Sequence, residues 1–458
     1  MKDLTKGNEA KNILFFALPM LIGNVFQQLY NTVDGIIVGQ KLGTQAQAAV
    51  GASFPIIFLL VSLLIGVTMG STILIAQYYG AKDMKKVKLT IDTAYIFLFI
   101  ASLCITIFGM VFSEKLLVML KVPSEVMAAA KIYLNIMFAG MIAMFGYNSV
   151  SAVLRGLGDS KTPMIFLIIS TFINIGLDLL FILVFNWGIA GAAWATVIAQ
   201  GFSFIIGIYY LNRTHEVFKL NIFKMRFDRK IFVLSLKIGL PTGVQQMLFS
   251  LGLMALQGIV NSFGKVTMAG YFAGSRIDSF ASMPVMSLGA AISTFTGQNL
   301  GANKKERVKK GLEATIILVI LLSIVTTVVL FVFRYKLVWL FNKNSDVIGV
   351  GSSYIKIIAP FYVVIGVQFI VTGLLRGAGD TIVPMVISII GLWLVRIPVA
   401  YFLSNKMGSD GIWWGVPIGW CIGFLLTISY YLTGKWKDKV IVNKEKNIVD
   451  SDTVEDIL

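Results

Sequence analysis

The residues best able to do chemistry in this sequence are a few carboxylates set in apolar surroundings, led by Asp34. It sits in the first long apolar run, Phe16 to Gly39, where a charge at mid-bilayer costs at least ~2.5–3.5 kcal/mol. About seven residues, or ~10 Å of helix, separate it from Lys41, so a simple reach to the membrane surface does not explain it. Asp178 repeats the pattern in a later apolar run, and Asn174 precedes it by four residues, which puts the two on one helix face. Two carboxylates looking into one low-dielectric cavity share protons, the usual basis of a proton-coupling site. The first half of the chain offers no buried basic partner for them. The expected chemistry is reversible binding of a small cation, H+ or Na+, at Asp34, Asp178 and Asn174.

The second half carries a different set. Arg276 and Asp278 fall in one apolar run and Arg396 in another. Positions two apart on a helix point to different sides, so Arg276 and Asp278 should not pair with each other. Asp278 and Arg396 lie at comparable depth by helix counting, and a structural ion pair between them is the leading expectation, with substrate contact as the other.

Enzyme chemistry finds no support. No nucleophile–base or metal-ligand constellation is present, so no catalytic residue, metal site or cofactor is expected beyond the coupling ion. His215 is the only histidine and lies in a basic loop, and Cys104 and Cys421 read as packing residues inside apolar runs. Gly156-Leu-Gly-Asp-Ser-Lys161-Thr162 superficially matches a phosphate loop, but Ser160 stands before the lysine and no strand precedes it. It reads as a tight turn, so ATP is not expected.

These residues need long apolar helices to hold them. Of 458 residues, 57% are hydrophobic and 14% charged, against about 25% charged in a soluble protein. Mean hydropathy is +0.82. Apolar runs of about 20 residues recur from end to end, each able to cross a ~30 Å hydrocarbon core. The reading is an all-α polytopic membrane protein with twelve spans, near 13–39, 46–78, 90–111, 128–150, 162–184, 189–211, 231–262, 268–299, 311–333, 350–372, 382–403 and 410–433. The net charge of +16 reflects basic inter-span loops, not a nucleic-acid face. Alternate loops hold about 26 Lys and Arg on one side against about nine on the other, which places both termini in the cytoplasm of a plasma-membrane protein.

The chain also repeats itself. Leu154-Arg-Gly-Leu-Gly-Asp returns as Leu375-Arg-Gly-Ala-Gly-Asp, Gln77 to Gly80 as Gln298 to Gly301, and Tyr209-Tyr-Leu as Tyr430-Tyr-Leu, each at an offset of 221. A small-residue stripe of Gly191, Ala195, Ala199 and Ser203 has a counterpart in Gly411, Gly415, Gly419 and Gly423, suited to close helix packing. Six spans per repeat is an even number, so the halves enter the membrane in the same sense, a parallel-repeat transporter plan. The expected lobes are 1–211 and 231–434, two six-helix bundles joined by a cytoplasmic loop at 212–230. A charged, disordered tail is expected over 435–458. Residues 217–227 alternate apolar and basic, which suits an inner-leaflet surface segment or an ordinary linker. Pro19 and Pro241 sit at matching places in spans 1 and 7 and mark bends.

Taken together, Asn31-Thr-Val-Asp34 with Gly39 and Gly43, the paired Leu-Arg-Gly-x-Gly-Asp turns, Gly297-Gln-Asn-Leu-Gly301 and Asn174…Asp178 resemble the multidrug and toxic compound extrusion (MATE) transporters. The resemblance covers nearly the whole chain. It implies a twelve-helix, two-lobed antiporter that expels amphipathic or cationic small molecules across the bilayer in exchange for H+ or Na+; a monomer is the separate expectation. In the branch this sequence resembles most, the first-lobe aspartates, here Asp34 and Asp178, form the coupling site. Tyr30 and Thr196 match its lining, and bending on protonation would map to Pro19. The sodium-coupled branch places acids in spans 7 and 10, whereas this sequence has Gln245 and Gln246 in span 7 and Tyr354, Tyr362 and Gln368 in span 10. A lipid-linked oligosaccharide flippase of the same superfamily is the alternative. It would want several in-membrane cations, and Arg276 and Arg396 are the only clear candidates.

Overall fold

The computed structural model describes all residues except Met1, 215–218, 221–223 and 443–458, together with the side chain of Leu63. The expected surface segment at 217–227 and most of the expected tail therefore lie outside, or partly outside, the described residues. Fourteen α-helices follow one another without a strand among the described residues: α1 Glu9–Gly80, α2 Met84–Met119, α3 Ser124–Ala139, α4 Met141–Gly156, α5 Lys161–Leu179, α6 Gly188–Thr214, α7 Arg229–Asn261, α8 Lys265–Gly301, α9 Lys305–Trp339, α10 Ser345–Ile358, α11 Tyr362–Gly377, α12 Ile382–Ile389, α13 Ile397–Met407 and α14 Ser409–Leu432. Seven of them, with the continuous runs α10–α11 and α12–α13, make nine helical segments long and apolar enough to cross a bilayer, or ten spans if the bent pair α3–α4 counts as one. Splitting α1 at its break and adding α8 brings the number to the expected twelve. The α8 helix falls short on hydropathy because Ser, Thr, Gly, Arg276 and Asp278 fill it, and much of it is buried.

The break in α1 is at Gly43, with φ 83° and ψ −178°, and Gly264 takes φ 85° and ψ −179° just before α8. Only glycine adopts that combination at low cost. The two positions are 221 residues apart, so the repeat seen in the sequence is also a repeat of backbone geometry. Two further spans contain π-helical turns, Leu180–Val184 after α5 and Ile390–Arg396 between α12 and α13.

The chain folds as two compact units. The first comprises Met1–Asp3 and Pro19–Gly243, and the second Leu4–Leu18 and Val244–Leu458. Their borders differ from the expected lobes. They fall beside Pro19 and Pro241, inside helices α1 and α7, and not in the loop at 212–230.

Within the first unit, α2, α3, α4 and α6 surround a core of Leu98, Leu117, Leu134, Phe138 and Phe145. The opening of α7 packs against the end of α1. A Cβ on Gly66 would lie 2.6 Å from the Gly239 carbonyl, so the two backbones touch directly. The small-residue stripe of α6 lets α5 approach, with Ser170 Oγ donating to Ala199 O at 3.0 Å and Ser203 Oγ to Phe166 O at 3.1 Å. Outward-facing Leu103, Ile107 and Val111 form an i, i+4, i+8 row on α2 that suits lipid contact.

Within the second unit, Tyr271, Tyr354 and Trp413 stack at the centre. Tyr271 lies parallel to Trp413 at 5.5 Å, with Tyr354 edge-on to both. The matching stripe of α14 serves the same purpose as in α6: Cβ atoms at Gly411 and Gly415 would meet Leu403 O at 2.2 Å and Arg396 O at 2.8 Å. The motif Gly297-Gln-Asn-Leu-Gly301 holds the N-terminal segment. Gln298 Oε1 accepts from Leu4 N at 3.1 Å and Asn299 Nδ2 donates to Leu4 O at 3.2 Å. Lys304 Nζ donates to Thr5 O at 2.8 Å, and Arg307 pairs with Glu9 at 2.9 Å.

The two Leu-Arg-Gly-x-Gly-Asp turns are helix C-caps of one design. Asp159 N donates to Leu154 O and Gly158 N to Arg155 O, and the same bonds recur as Asp380 N to Leu375 O and Gly379 N to Arg376 O. Asp159 then caps α5 through Thr162 and accepts from Tyr210, while Asp380 accepts from Tyr430. This turn chemistry accounts for the phosphate-loop likeness.

Candidate functional site

The first unit gathers the predicted coupling residues in one place. Helix α1 supplies Tyr30 and Asp34 one turn apart, α5 supplies Asn174 and Asp178 one turn apart, α6 supplies Thr196 and α3 supplies Tyr133. The carboxyl groups of Asp34 and Asp178 meet in hydrogen-bond contact, and Tyr133 is near enough to feel the charge of both without a hydrogen bond to either. The Tyr30 hydroxyl and Thr196 Oγ1 are 2.9 Å apart. The Asn174 amide satisfies both neighbours when its nitrogen donates to Asp178 Oδ2 at 3.0 Å and its oxygen accepts from Thr196 N at 3.3 Å. A continuous polar chain therefore runs from Tyr30 through Thr196 and Asn174 to the two acids.

Asn174 and Asp178 are fully buried, yet one oxygen of each acid, Asp34 Oδ1 and Asp178 Oδ1, has no hydrogen-bond partner. Among the described residues no Lys or Arg forms an ion pair with either acid; the pairs present are Lys88–Asp92, Lys131–Glu114 and Arg307–Glu9. Two like charges in contact without a counter-charge repel strongly at low dielectric. The arrangement is relieved by a proton shared between them or by a cation on the unpartnered oxygens. Directly after Asp178 the helix widens into the π turn Leu180–Val184, a distortion that recurs at functional sites.

The second unit treats its charges differently. Asp278 accepts from the hydroxyls of Tyr362, Tyr354 at 3.3 Å and Ser282 at 3.5 Å. Among the described residues it makes no ion pair within 4.0 Å with Arg396, so the expected pair is not formed. The tyrosines of span 10 reach the carboxylate and satisfy it by hydrogen bonding. Arg396 is buried at 8% exposure, ends the π turn Ile390–Arg396 and leaves its Nε without a partner. Arg276 points away from Asp278, as its spacing requires, and lies 5.2 Å from the centre of the exposed Phe272 ring. Pro19 lies within α1 where the first unit begins.

Tyr133 joins the acid pair without having been singled out by sequence reasoning. A signal was available: it stands 221 residues before Tyr354, which donates to Asp278, the half-buried acid of the second unit. Ser282 is a similar case, hidden among the many serines of α8.

Comparison with known proteins bears on the family and the fold. The family profile MatE matches twice, over residues 19–180 and 241–402, an offset that restates the internal repeat. The chain is 34% identical over 436 residues to the probable multidrug resistance protein YpnP of Bacillus subtilis, covering 95% of this chain and 97% of that one. It is 28% identical to the probable multidrug resistance protein NorM of Thermotoga maritima, covering 95% of each. A solved structure described as the outward-facing conformation of a multidrug resistance MATE family transporter of the MOP superfamily superposes with a TM-score of 0.90 at 23% identity, covering 96% of this chain and 99% of that one. With the twelve-span fold, the doubled profile and these full-length relatives in hand, the chain belongs to the MatE family, the multidrug and toxic compound extrusion transporters.

Proposed function

We propose that this protein is a secondary antiporter that exports small amphipathic or cationic compounds from the cell in exchange for protons. In this reading both termini are cytoplasmic, no ATP is used and the first-unit acids are the coupling site. The observation that carries the proposal is the contact between Asp34 and Asp178, with an unpartnered oxygen on each and, among the described residues, no ion pair to a Lys or Arg. The relatives named as multidrug resistance proteins supply the substrate class.

Protons are favoured over Na+ by the ligand count. A sodium ion at this place would want several free oxygens, but Asn174 uses its carbonyl on Thr196 N and Thr196 uses its hydroxyl on Tyr30. The two carboxylates then remain as the principal acceptors, a set better matched to one shared proton. Tyr30, Thr196 and Asn174 hold the acids in register, and Pro19 gives α1 a place to bend when the proton load changes.

A monovalent organic cation leaving for one proton entering moves no net charge. Under that stoichiometry ΔpH alone drives export, and one pH unit, worth ~1.4 kcal/mol, sustains about a tenfold substrate gradient. Efflux of a cationic dye from vesicles under an imposed ΔpH or an imposed Na+ gradient tests the reading. The expectation is efflux with ΔpH and none with Na+ alone. Efflux driven by Na+ at zero ΔpH would overturn proton coupling.

A further inference from the structure

The opening of α7 has two unlike faces. Ile231, Ser235, Ile238 and Thr242 are buried, and this row meets the end of α1, where a Cβ on Gly70 would lie 2.3 Å from Ser235 O. The opposite row, Lys230, Val233, Lys237 and Leu240, is exposed. Steps of three and four residues keep its four side chains on one side of the helix. Among the described residues, the side chains of Lys230 and Lys237 make no ion pair and no hydrogen bond.

The backbone just before the helix is pinned in place, so the face is preformed. Asp228 N donates to Thr93 Oγ1 at 3.1 Å, and Asp228 Oδ1 accepts from Ile231 N at 2.9 Å. The Phe232 ring lies 4.8 Å from that of Phe97. Arg226 and Arg229 are exposed beside the two lysines, with Phe227 exposed between them.

Depth sets Lys237 apart from an ordinary loop cation. The helix runs for 33 residues, ~50 Å at 1.5 Å per residue, and a ~30 Å hydrocarbon core takes about 20 of them. About six residues remain at each end, which puts Lys230 among the headgroups and Lys237 within a turn of the hydrocarbon boundary. Charge asymmetry between loops sets topology without needing a lysine inside a span. Nor does the internal repeat call for these cations: at the offset of 221, Glu9 stands in the place of Lys230 and Phe16 in that of Lys237.

An exposed ammonium at this depth, flanked by Val233 and Leu240, needs an anion that itself lies at the edge of the hydrocarbon, and a lipid phosphate is such an anion. Lys230 and Lys237 are seven residues apart, ~10 Å along the axis, a gap that two lysine side chains can close onto one phosphate. We propose that this face binds an anionic phospholipid of the inner leaflet, its phosphodiester held between Lys230 and Lys237 and its acyl chains lying along Val233 and Leu240. The choice of leaflet rests on the cytoplasmic termini proposed above; the binding itself does not.

The full-length protein in detergent, titrated with phosphatidylglycerol or phosphatidylcholine and with bound lipids counted by native mass spectrometry, tests this. Wild type should bind phosphatidylglycerol about tenfold or more tighter than phosphatidylcholine. Each cation at an anionic lipid surface contributes roughly fivefold in affinity, so Lys230→Gln and Lys237→Gln should each weaken phosphatidylglycerol binding by about that factor and together by about twentyfold, while the protein stays folded. The double variant Lys309→Gln/Lys310→Gln removes two exposed cations from α9 and should leave the affinity unchanged. Equal affinity of folded wild type for the two lipids overturns the proposal, as does wild-type affinity in the folded α7 double variant or an equal loss in the α9 one. Free glycerol phosphate binding as tightly as the lipid also overturns it, because the apolar part of the face would then add nothing. Transport is not the readout, so this result stands apart from the proton-coupling test.

Discussion

Removing the Tyr362 hydroxyl should cost the second unit a measurable share of its stability, and the structure sets the size. Tyr362 is 1% exposed and its hydroxyl donates to Asp278 Oδ1. Tyr354 at 3.3 Å and Ser282 at 3.5 Å are longer contacts and replace it poorly. Tyr362→Phe keeps the ring, so packing against Trp420 survives and the loss is the hydrogen bond alone. A bond to a charged group is worth about 1.5–3 kcal/mol, or roughly a 10- to 150-fold change in the folded-to-unfolded ratio. If the second unit, roughly 230 residues, melts on its own, a loss near 2 kcal/mol lowers its melting temperature by about 4–8 °C. The assay is thermal melting in detergent for wild type, Tyr362→Phe, Asp278→Asn and the double variant. Because both groups serve one contact, the double variant should lose at least about 1 kcal/mol less than the two singles added together. Additivity within about 0.5 kcal/mol would refute the view that hydroxyls, in place of Arg396, hold this carboxylate.

Other outcomes follow from the same geometry. A Cβ at Gly43 or Gly264 would meet nothing within 4 Å, so Gly43→Ala and Gly264→Ala should each cost about 1–3 kcal/mol through backbone strain alone, read as lowered melting temperature. Asn299→Ala removes the donor to Leu4 O, so trypsin should cut at Lys6 and Lys11 faster than in wild type at equal global stability. Single cysteines at the exposed positions Lys161 and Ile382, just after the two matched turns, in a background without Cys104 and Cys421, should react with impermeant thiol reagents from the same, cytoplasmic, side; opposite sides would end the parallel-repeat topology.

Much of the fold was readable because lipid permits few sequence patterns. Most spans are long apolar runs and were visible as such, including the two merged in α1, which Gly43 separates; the polar α8 is the exception and was placed by its length. Asp34 and Asp178 stood out for the same reason, since a carboxylate in such a run is costly and rare. Tyr133 did not, because a tyrosine in an apolar helix carries no such cost and could lie anywhere on it. Pairing Asp278 with Arg396 went astray because helix counting gives depth in the membrane but not the azimuth of a side chain. The borders of the compact units were hidden too. Helices α1 and α7 run through Pro19 and Pro241 without a break, and only packing shows which unit each half joins.

The central claim is that one proton sits on the Asp34–Asp178 pair and leaves when substrate binds. Proton release can be measured directly, by adding a cationic dye substrate to the purified protein in weakly buffered solution and following pH. The account predicts about one proton released per molecule bound near neutral pH, and none from Asp34→Asn, which keeps the shape of the side chain but does not titrate. Undiminished release from folded, substrate-binding Asp34→Asn would contradict it and move the coupling site away from these two acids.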